Sequence, residues 1–180
     1  MTSDSPVGLA RFVEKHPPRS GRTLVVGSKV YGKKQDRRQL YRKAVGIDLF
    51  DGEGVDFVHD LETPLPESVG KFRHVDCVSV LEHVKRPWLM AQNIEDALVE
   101  GGTLLVCVPF IWRVHAYPDD YWRLTASALE VLFPNIQWQA RKYLVEGKAR
   151  NLVRGKRDPE GQWMARAELA GMGIKCSSTS

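Results

Sequence analysis

The sequence predicts an α/β domain with a mostly parallel sheet and helices on both faces. Two observations carry that expectation. Short runs that are apolar throughout, such as Thr23 to Val26 (TLVV) and Thr103 to Val108 (TLLVCV), recur along the chain, and helix-like stretches separate them. A strand without polar alternation is covered on both faces, and parallel strands need long crossovers that are usually helical. The 180 residues, 43% hydrophobic and 27% charged, have the proportions of a globular chain with a real core. A disordered or fibrous chain is thereby excluded.

Ser5-Pro6 is a helix start, so residues 5 to 15 should be helical until His16-Pro17-Pro18 stops them. Thr23 to Val26 is the first strand, ended by Gly27, and Gln35 to Arg42 is a short helical candidate. Ala44 to Asp48 (AVGID), Val55 to Val58 and Val75 to Val80 (VDCVSV) read as the second, third and fourth strands. Pro87 opens a helix to about Val99, with Trp88, Leu89, Ala91, Ile94 and Leu98 spaced as one apolar face. Gly101-Gly102 ends it before the fifth strand, Thr103 to Val108. Thr125 caps a helix over Ala126 to Phe133, and Ile136 to Val145 is a long strand. Residues 1 to 170 form one domain in this reading, and Gly171 to Ser180 (GMGIKCSSTS) a frayed, disordered tail.

The longest apolar run, Leu104 to Trp112, falls well short of the ~20 residues of a membrane span, and the mixed-charge N-terminus is not a signal peptide. Cys77, Cys107 and Cys176 lack metal-type spacing, so reduced thiols in a cytoplasmic protein are expected, with no metal site and no membrane contact. The net charge of +4 is unevenly placed. Seven basic residues between 141 and 157 face Glu146 alone, while residues 48 to 62 hold six acids and no Lys or Arg. The basic stretch reads as a solvated face, with an anionic partner such as nucleic acid as the second reading.

In open parallel sheets ligands bind beyond the carboxyl ends of the strands, where the strand order reverses. After the first strand comes Gly27-Ser28-Lys29-Val30-Tyr31-Gly32-Lys33-Lys34, one residue from the phosphate-binding G-x-x-x-x-G-K-[ST] loop. Lys34 stands where the magnesium-ligating hydroxyl belongs, so the other reading is a glycine turn that lets a cofactor approach the backbone at a helix start. Asp48 ends the second strand 21 residues after Gly27, a spacing suited to an acid that accepts bonds from ribose hydroxyls. Asp60 follows the third strand, as an adenine contact or as a turn residue.

The fourth strand runs into Leu81-Glu82-His83-Val84. The segment VDCVSVLEHVKRPW, followed by a helix and EGGTLLVCVPF, closely resembles the class I S-adenosylmethionine-dependent methyltransferases. Within that family the likeness is to a small bacterial and phage subgroup. Val45-Gly46-Ile47-Asp48, Asp56-Phe57-Val58-His59-Asp60-Leu61 and His115-Ala116-Tyr117-Pro118-Asp119-Asp120-Tyr121-Trp122-Arg123 carry it, over residues 22 to 135. The resemblance implies a Rossmann-like methyltransferase fold, here shortened at the C-terminus, with S-adenosyl-L-methionine as cofactor. It also implies that Gly27 and Ser28 lie under the cofactor's amino-acid part. Asp48 would hold the ribose, Leu49 would pack on adenine, and Asp60 and Leu61 would frame its edge. Ser79, Val80 and Leu81 would floor the methionine moiety, and Glu82 and His83 would meet the acceptor.

Methyl transfer requires alignment of donor and acceptor, and a hydroxyl acceptor requires a base as well. His83 and His115 are the candidate catalytic residues, although a histidine at such a place is more often a structural hydrogen-bonding group than a base. Tyr117, Asp120, Tyr121 and Arg123 join Glu82 as candidate contacts to a small hydroxylated, saccharide-like acceptor, or form a lid. The family's acidic-x-G-x-G loop is altered, with Val25 for the acid and Lys29 for the second glycine. A catalytically silent binding or scaffold protein is therefore one alternative, and a P-loop-like nucleotide-binding protein the other.

Overall fold

The computed structural model describes residues 7–32, 35–115, 118–146 and 166–177. Parallel pairing begins with β1 (Arg22–Val26), which lies between β2 (Lys43–Asp48) and β4 (Phe72–Val78). β3 (Phe57–Val58) extends the sheet beyond β2, and β5 (Leu98–Ile111) extends it beyond β4. β7 (Arg166–Lys175) then runs antiparallel between β5 and β6 (Ile136–Glu146). Among the described residues the order is β3-β2-β1-β4-β5-β7-β6, so the direction of strand addition reverses between β1 and β4. This is the sheet of a Rossmann-like methyltransferase fold.

Successive residues of a strand face opposite sides of the sheet, so one apolar run feeds two cores. Leu104, Val106 and Val108 of β5 join Leu24, Val26, Val75 and Cys77 on one face. There they meet Met90, Ala91 and Ile94 of α2 (Pro87–Ala97) and Leu129 of α3 (Ala126–Leu132). Thr125 caps α3 by accepting a bond from the Ala128 amide at 3.2 Å. Leu105 and Cys107 point the other way, against Leu9 and Phe12 of α1 (Val7–Lys15) and Met172 of β7. Cys77 and Cys107 are buried and Cys176 is exposed, all three as free thiols.

Three sequence expectations change. The helix expected to reach Val99 and end at Gly101-Gly102 stops at Ala97, and Leu98 to Gly102 open β5 instead. Gly171 to Lys175 do not fray but form half of β7, held between two strands. The helix expected over Gln35 to Arg42 shrinks to one 3-10 turn, Arg37–Leu40. The reason is charge. Asp36 accepts from the Arg38 amide, Arg38 pairs with Asp36 and Asp56, and Arg37 is drawn 2.6 Å from the buried Asp76 of β4. Tyr41 donates to the same carboxylate at 2.6 Å, and its ring packs on His74. A polar network thus covers the part of the second face that α1 leaves open. Of the basic stretch 141–157, residues 147–157 lie outside the described residues; Arg141, at its start, pairs with Glu130 and donates to the Ala126 carbonyl. Among the described residues no helix is long and apolar enough to cross a membrane.

Met172 is 2% exposed, so Met172→Ala should cost about 2–4 kcal/mol in denaturant unfolding, where a residue in a frayed tail would cost next to nothing. His74 is fully buried, and burial lowers its imidazole to about 4. Between pH 6.5 and pH 4 the unfolded chain therefore binds the extra proton, and stability falls as the pH drops through that window, by on the order of 3 kcal/mol. His74→Gln, which can still reach Thr103, should flatten the fall when urea midpoints at pH 7 and pH 4.5 are compared.

Candidate active site

The reversal between β1 and β4 leaves a cleft above the carboxyl ends of the strands, and a cavity of about 890 Å³ fills it. The chain leaves β1 through Gly27 at φ 65°, where a Cβ would stand 2.5 Å from Val80. Only glycine lets the loops after β1 and β4 meet at this point. Ser28 follows, buried, its amide donating to the Ile47 carbonyl and its hydroxyl without a hydrogen-bond partner.

Asp48 organises this end of the cavity. One carboxylate oxygen accepts the Lys29 amide at 3.0 Å, and the other accepts the Phe50 amide at 3.1 Å. The turns after β1 and β2 are thus tied to one side chain at the end of β2. Leu49 and Phe50 line the cavity and are roughly half exposed, an apolar wall without cover. The stem of Lys29 lies along Gly52, and its ammonium group sits 5.5 Å from the Tyr31 ring and 5.8 Å from the Phe50 ring. The chain does not enter a helix after Gly27. Residues 28–32 are irregular and the first helical residue is Arg37, so the helix N-terminus that cradles phosphate in a P-loop is missing among the described residues, with Lys33 and Lys34 outside them.

Asp60 and Leu61 both border the cavity, but each has structural work. Asp60 accepts the Glu62 amide in a turn, and Leu61 is 5% exposed in the main core. Ser79 is held at φ 56°, the one non-glycine residue with positive φ among those described, and its amide donates to the Cys107 carbonyl. Such a backbone costs about 1–3 kcal/mol and persists only where its surroundings impose it. Val80 lines the cavity as expected. Leu81 does not: it is fully buried in the main core and belongs to the packing rather than to the floor of the site, because the 3-10 turn Leu81–His83 points it inward.

The same turn presents Glu82 and His83 to the cavity, where His115 joins them. Glu82 is fully buried with neither carboxylate oxygen hydrogen-bonded, and burial pushes its carboxyl up to about 8. His83 Nδ1 stands 2.6 Å from the Asp119 carbonyl oxygen and Nε2 3.6 Å from Glu82. Burial lowers the His83 imidazole, and its ring meets His115 edge-on at 4.8 Å.

Asp120 and Arg123, expected to touch an acceptor, do not line the cavity. They grip each other bidentately, and Asp120 also accepts the His115 amide at 2.9 Å. The Arg123 guanidinium holds the Asp120 carboxyl far below the usual range. Arg123 reaches back to the Trp112 and Arg113 carbonyls as well, so the pair clamps the loop that carries His115. Tyr121 borders the cavity and bonds Asp119, while Tyr117 lies outside the described residues. Sequence reasoning missed Phe50, for which an apolar residue beside a strand-ending acid was the available signal. It also missed Glu168 of β7, a buried acid at the cavity wall that accepts the Cys107 thiol, and there no signal existed because β7 was unforeseen.

A Rossmann-like sheet with an open cavity at its reversal point defines the class: a methyltransferase-type α/β domain. No family model and no curated protein matches the chain. Solved structures do. The candidate methyltransferase BH2331 of Bacillus halodurans C-125 is 12% identical with a TM-score of 0.68, covering 98% of this chain and 100% of its own. The N-methyltransferase NodS of Bradyrhizobium japonicum, solved with S-adenosyl-L-homocysteine, is 12% identical with a TM-score of 0.63, covering 97% and 90%. The 1,6-didemethyltoxoflavin N1-methyltransferase of Burkholderia thailandensis, solved with its substrate and S-adenosylhomocysteine, is 14% identical with a TM-score of 0.63, covering 95% and 78%. At these identities the likeness establishes the fold.

Arg123→Ala strips the buried Asp120 of its charged partner and should cost about 1.5–3 kcal/mol in thermal or urea unfolding. Arg123→Lys should recover only part of that loss, because an ammonium cannot bond both carboxylate oxygens in the guanidinium's planar fork.

Proposed function

We propose that the chain is an S-adenosylmethionine-dependent methyltransferase, cytoplasmic, acting on a small hydroxylated molecule, of which a saccharide is one kind. One observation carries the reading. A single cavity joins the Asp48-tied turns and their apolar Leu49–Phe50 wall to the Glu82, His83 and His115 side chains. The first end has the chemistry for a nucleoside and the second for a polar reacting group.

The residues present fit the cofactor. Each Asp48 oxygen accepts one amide and retains capacity for a ribose hydroxyl. Phe50 and Leu49 offer flat and aliphatic surface to a base. The Gly27–Ser28 turn lines the cavity and lets a ligand approach its backbone, which suits the amino-acid end. Lys29 lines the cavity with its stem on Gly52 and its ammonium group near the Tyr31 and Phe50 rings, so its charge is directed to the nucleoside end.

The bound cofactor supplies an electrophilic methyl group on a sulfonium, and transfer disperses charge rather than creating it. The protein's part is therefore alignment and proton removal. Tyr121 and Trp112 wall the acceptor end. One of the two imidazoles, His83 or His115, would take the proton of the acceptor hydroxyl as that oxygen receives the methyl group. The Asp120–Arg123 clamp and the Asp119 carbonyl hold those two rings in place. The acceptor and the choice of base rest on this reading alone.

Asp48→Ala should weaken S-adenosylhomocysteine binding at least roughly tenfold, the worth of charge-assisted bonds of about 1.5–3 kcal/mol. Calorimetric titration of the folded variant against the parent measures it. Equal affinity would remove Asp48 from the nucleoside site, and no binding by the parent would remove the proposed function.

A further inference from the structure

The mechanism above leaves one group unexplained. Glu82 is a fully buried carboxylate at the cavity, and neither of its oxygens has a hydrogen-bond partner. A buried acid without a partner costs several times what an ordinary paired group would, so its surroundings should contain something for it to bind. Two imidazoles stand beside it. One ligand atom each from Glu82, His83 and His115 lies within 4.8 Å of the other two, and His83 Nε2 is already 3.6 Å from Glu82 Oε1.

We infer that Glu82, His83 and His115 form a three-ligand site for a divalent transition-metal ion, with its open side toward the cavity. The set is that of a catalytic zinc-type centre: two imidazoles, one carboxylate and a vacant fourth position. Hard magnesium and calcium ions favour all-oxygen shells and are poorly served by it. Ligand atoms around a tetrahedral ion sit about 3.4 Å apart at the usual zinc–nitrogen and zinc–oxygen distances, so the 3.6 Å pair fits as it stands. Small ring rotations bring the third ligand in.

The outer contacts are those that metal-binding histidines use. The Asp119 carbonyl takes the Nδ1 side of His83 at 2.6 Å, leaving Nε2 for the ion. On His115, Nδ1 stands 2.9 Å from Asp120, a charge contact not aligned as a hydrogen bond, which leaves Nε2 to serve the ion. Carbonyl and carboxylate partners of this kind fix the tautomer and orient the ring. Arg123 in turn fixes Asp120.

The ion's role, unlike its binding, rests on the methyl-transfer reading. An acceptor hydroxyl in the open position would be acidified by the ion and lose its proton to bulk water. Its oxygen would then attack the methyl carbon, with the C–S electron pair returning to sulfur. In the loaded protein the imidazoles hold the ion and no longer take the proton.

The test uses the full chain, stripped with a chelator, in a Cys176→Ser background that removes the exposed thiol as a rival ligand. Zinc chloride is titrated by calorimetry and cobalt(II) by visible absorption, with magnesium chloride in parallel. One equivalent of zinc per chain and d–d bands of four- or five-coordinate cobalt are expected, with no comparable magnesium binding. Glu82→Gln and His115→Ala should each weaken zinc at least a hundredfold, since loss of an outer partner alone costs roughly ten- to hundredfold. Circular dichroism checks that both variants fold, and His83→Ala substitutes for either that does not. No saturable zinc or cobalt binding, or equal affinity in the folded variants, overturns the site. S-adenosylhomocysteine is titrated separately into the same parent protein. Zinc binding without it retains the metal site and rejects methyl transfer, and the converse rejects the metal site alone.

Discussion

The structure depends on the parallel pairing of β1 with β4 at the centre of the sheet. The chain adds strands on one side of β1 first and then returns to the other side of it. Two neighbouring strands consequently send their connections in opposite directions, and the space between those connections cannot be filled by either. The cavity is that space. Each candidate site residue on the loops after β1, β2 and β4 follows from where its strand stops. The geometry also explains why Gly27 and Val80 are packed so closely, since the two diverging loops start side by side.

The two ends of the cavity are built by different means. The nucleoside-like end is made from backbone turns drawn onto the single carboxylate of Asp48. The acceptor-like end is made from side chains of a 3-10 turn and of a loop that Asp120 and Arg123 lock from behind. The first arrangement offers a fixed rim with open hydrogen-bonding capacity. The second concentrates titratable groups in a small, poorly hydrated volume, where the Glu82 carboxyl is pushed up and the His83 imidazole down by the same loss of water.

Much of this was legible in the sequence because a parallel sheet advertises itself in unbroken apolar runs and places chemistry at their ends. Asp48 closes the second such run and Ser79 and Val80 the fourth, Glu82 and His83 follow two and three residues later, and all five border the cavity. Leu81 was misread because a 3-10 turn splits adjacent residues between core and cavity, which spacing along a strand does not reveal. Asp120 and Arg123 look like ligand contacts in a loop, and only three-dimensional geometry shows that each satisfies the other. β7 was illegible for a packing reason. Its Gly171 and Gly173 read as a loose end, yet a Cβ at either would stand within 2.6 Å of Trp138 or Ile136, so they are narrow places in a tightly filled layer.

That last strand has a consequence for how the protein is made. β7 enters between β5 and β6, although both precede it in the chain and 19 residues separate Glu146 from Arg166. While the polypeptide is being synthesised, the backbone edge of β5 that β7 will occupy stays unpaired until the ribosome has released residues as far as Lys175. Open apolar edges recruit foreign strands. The nascent chain therefore passes through a vulnerable interval that closes only when β7 pairs, and slow translation or premature termination past β6 would favour aggregation.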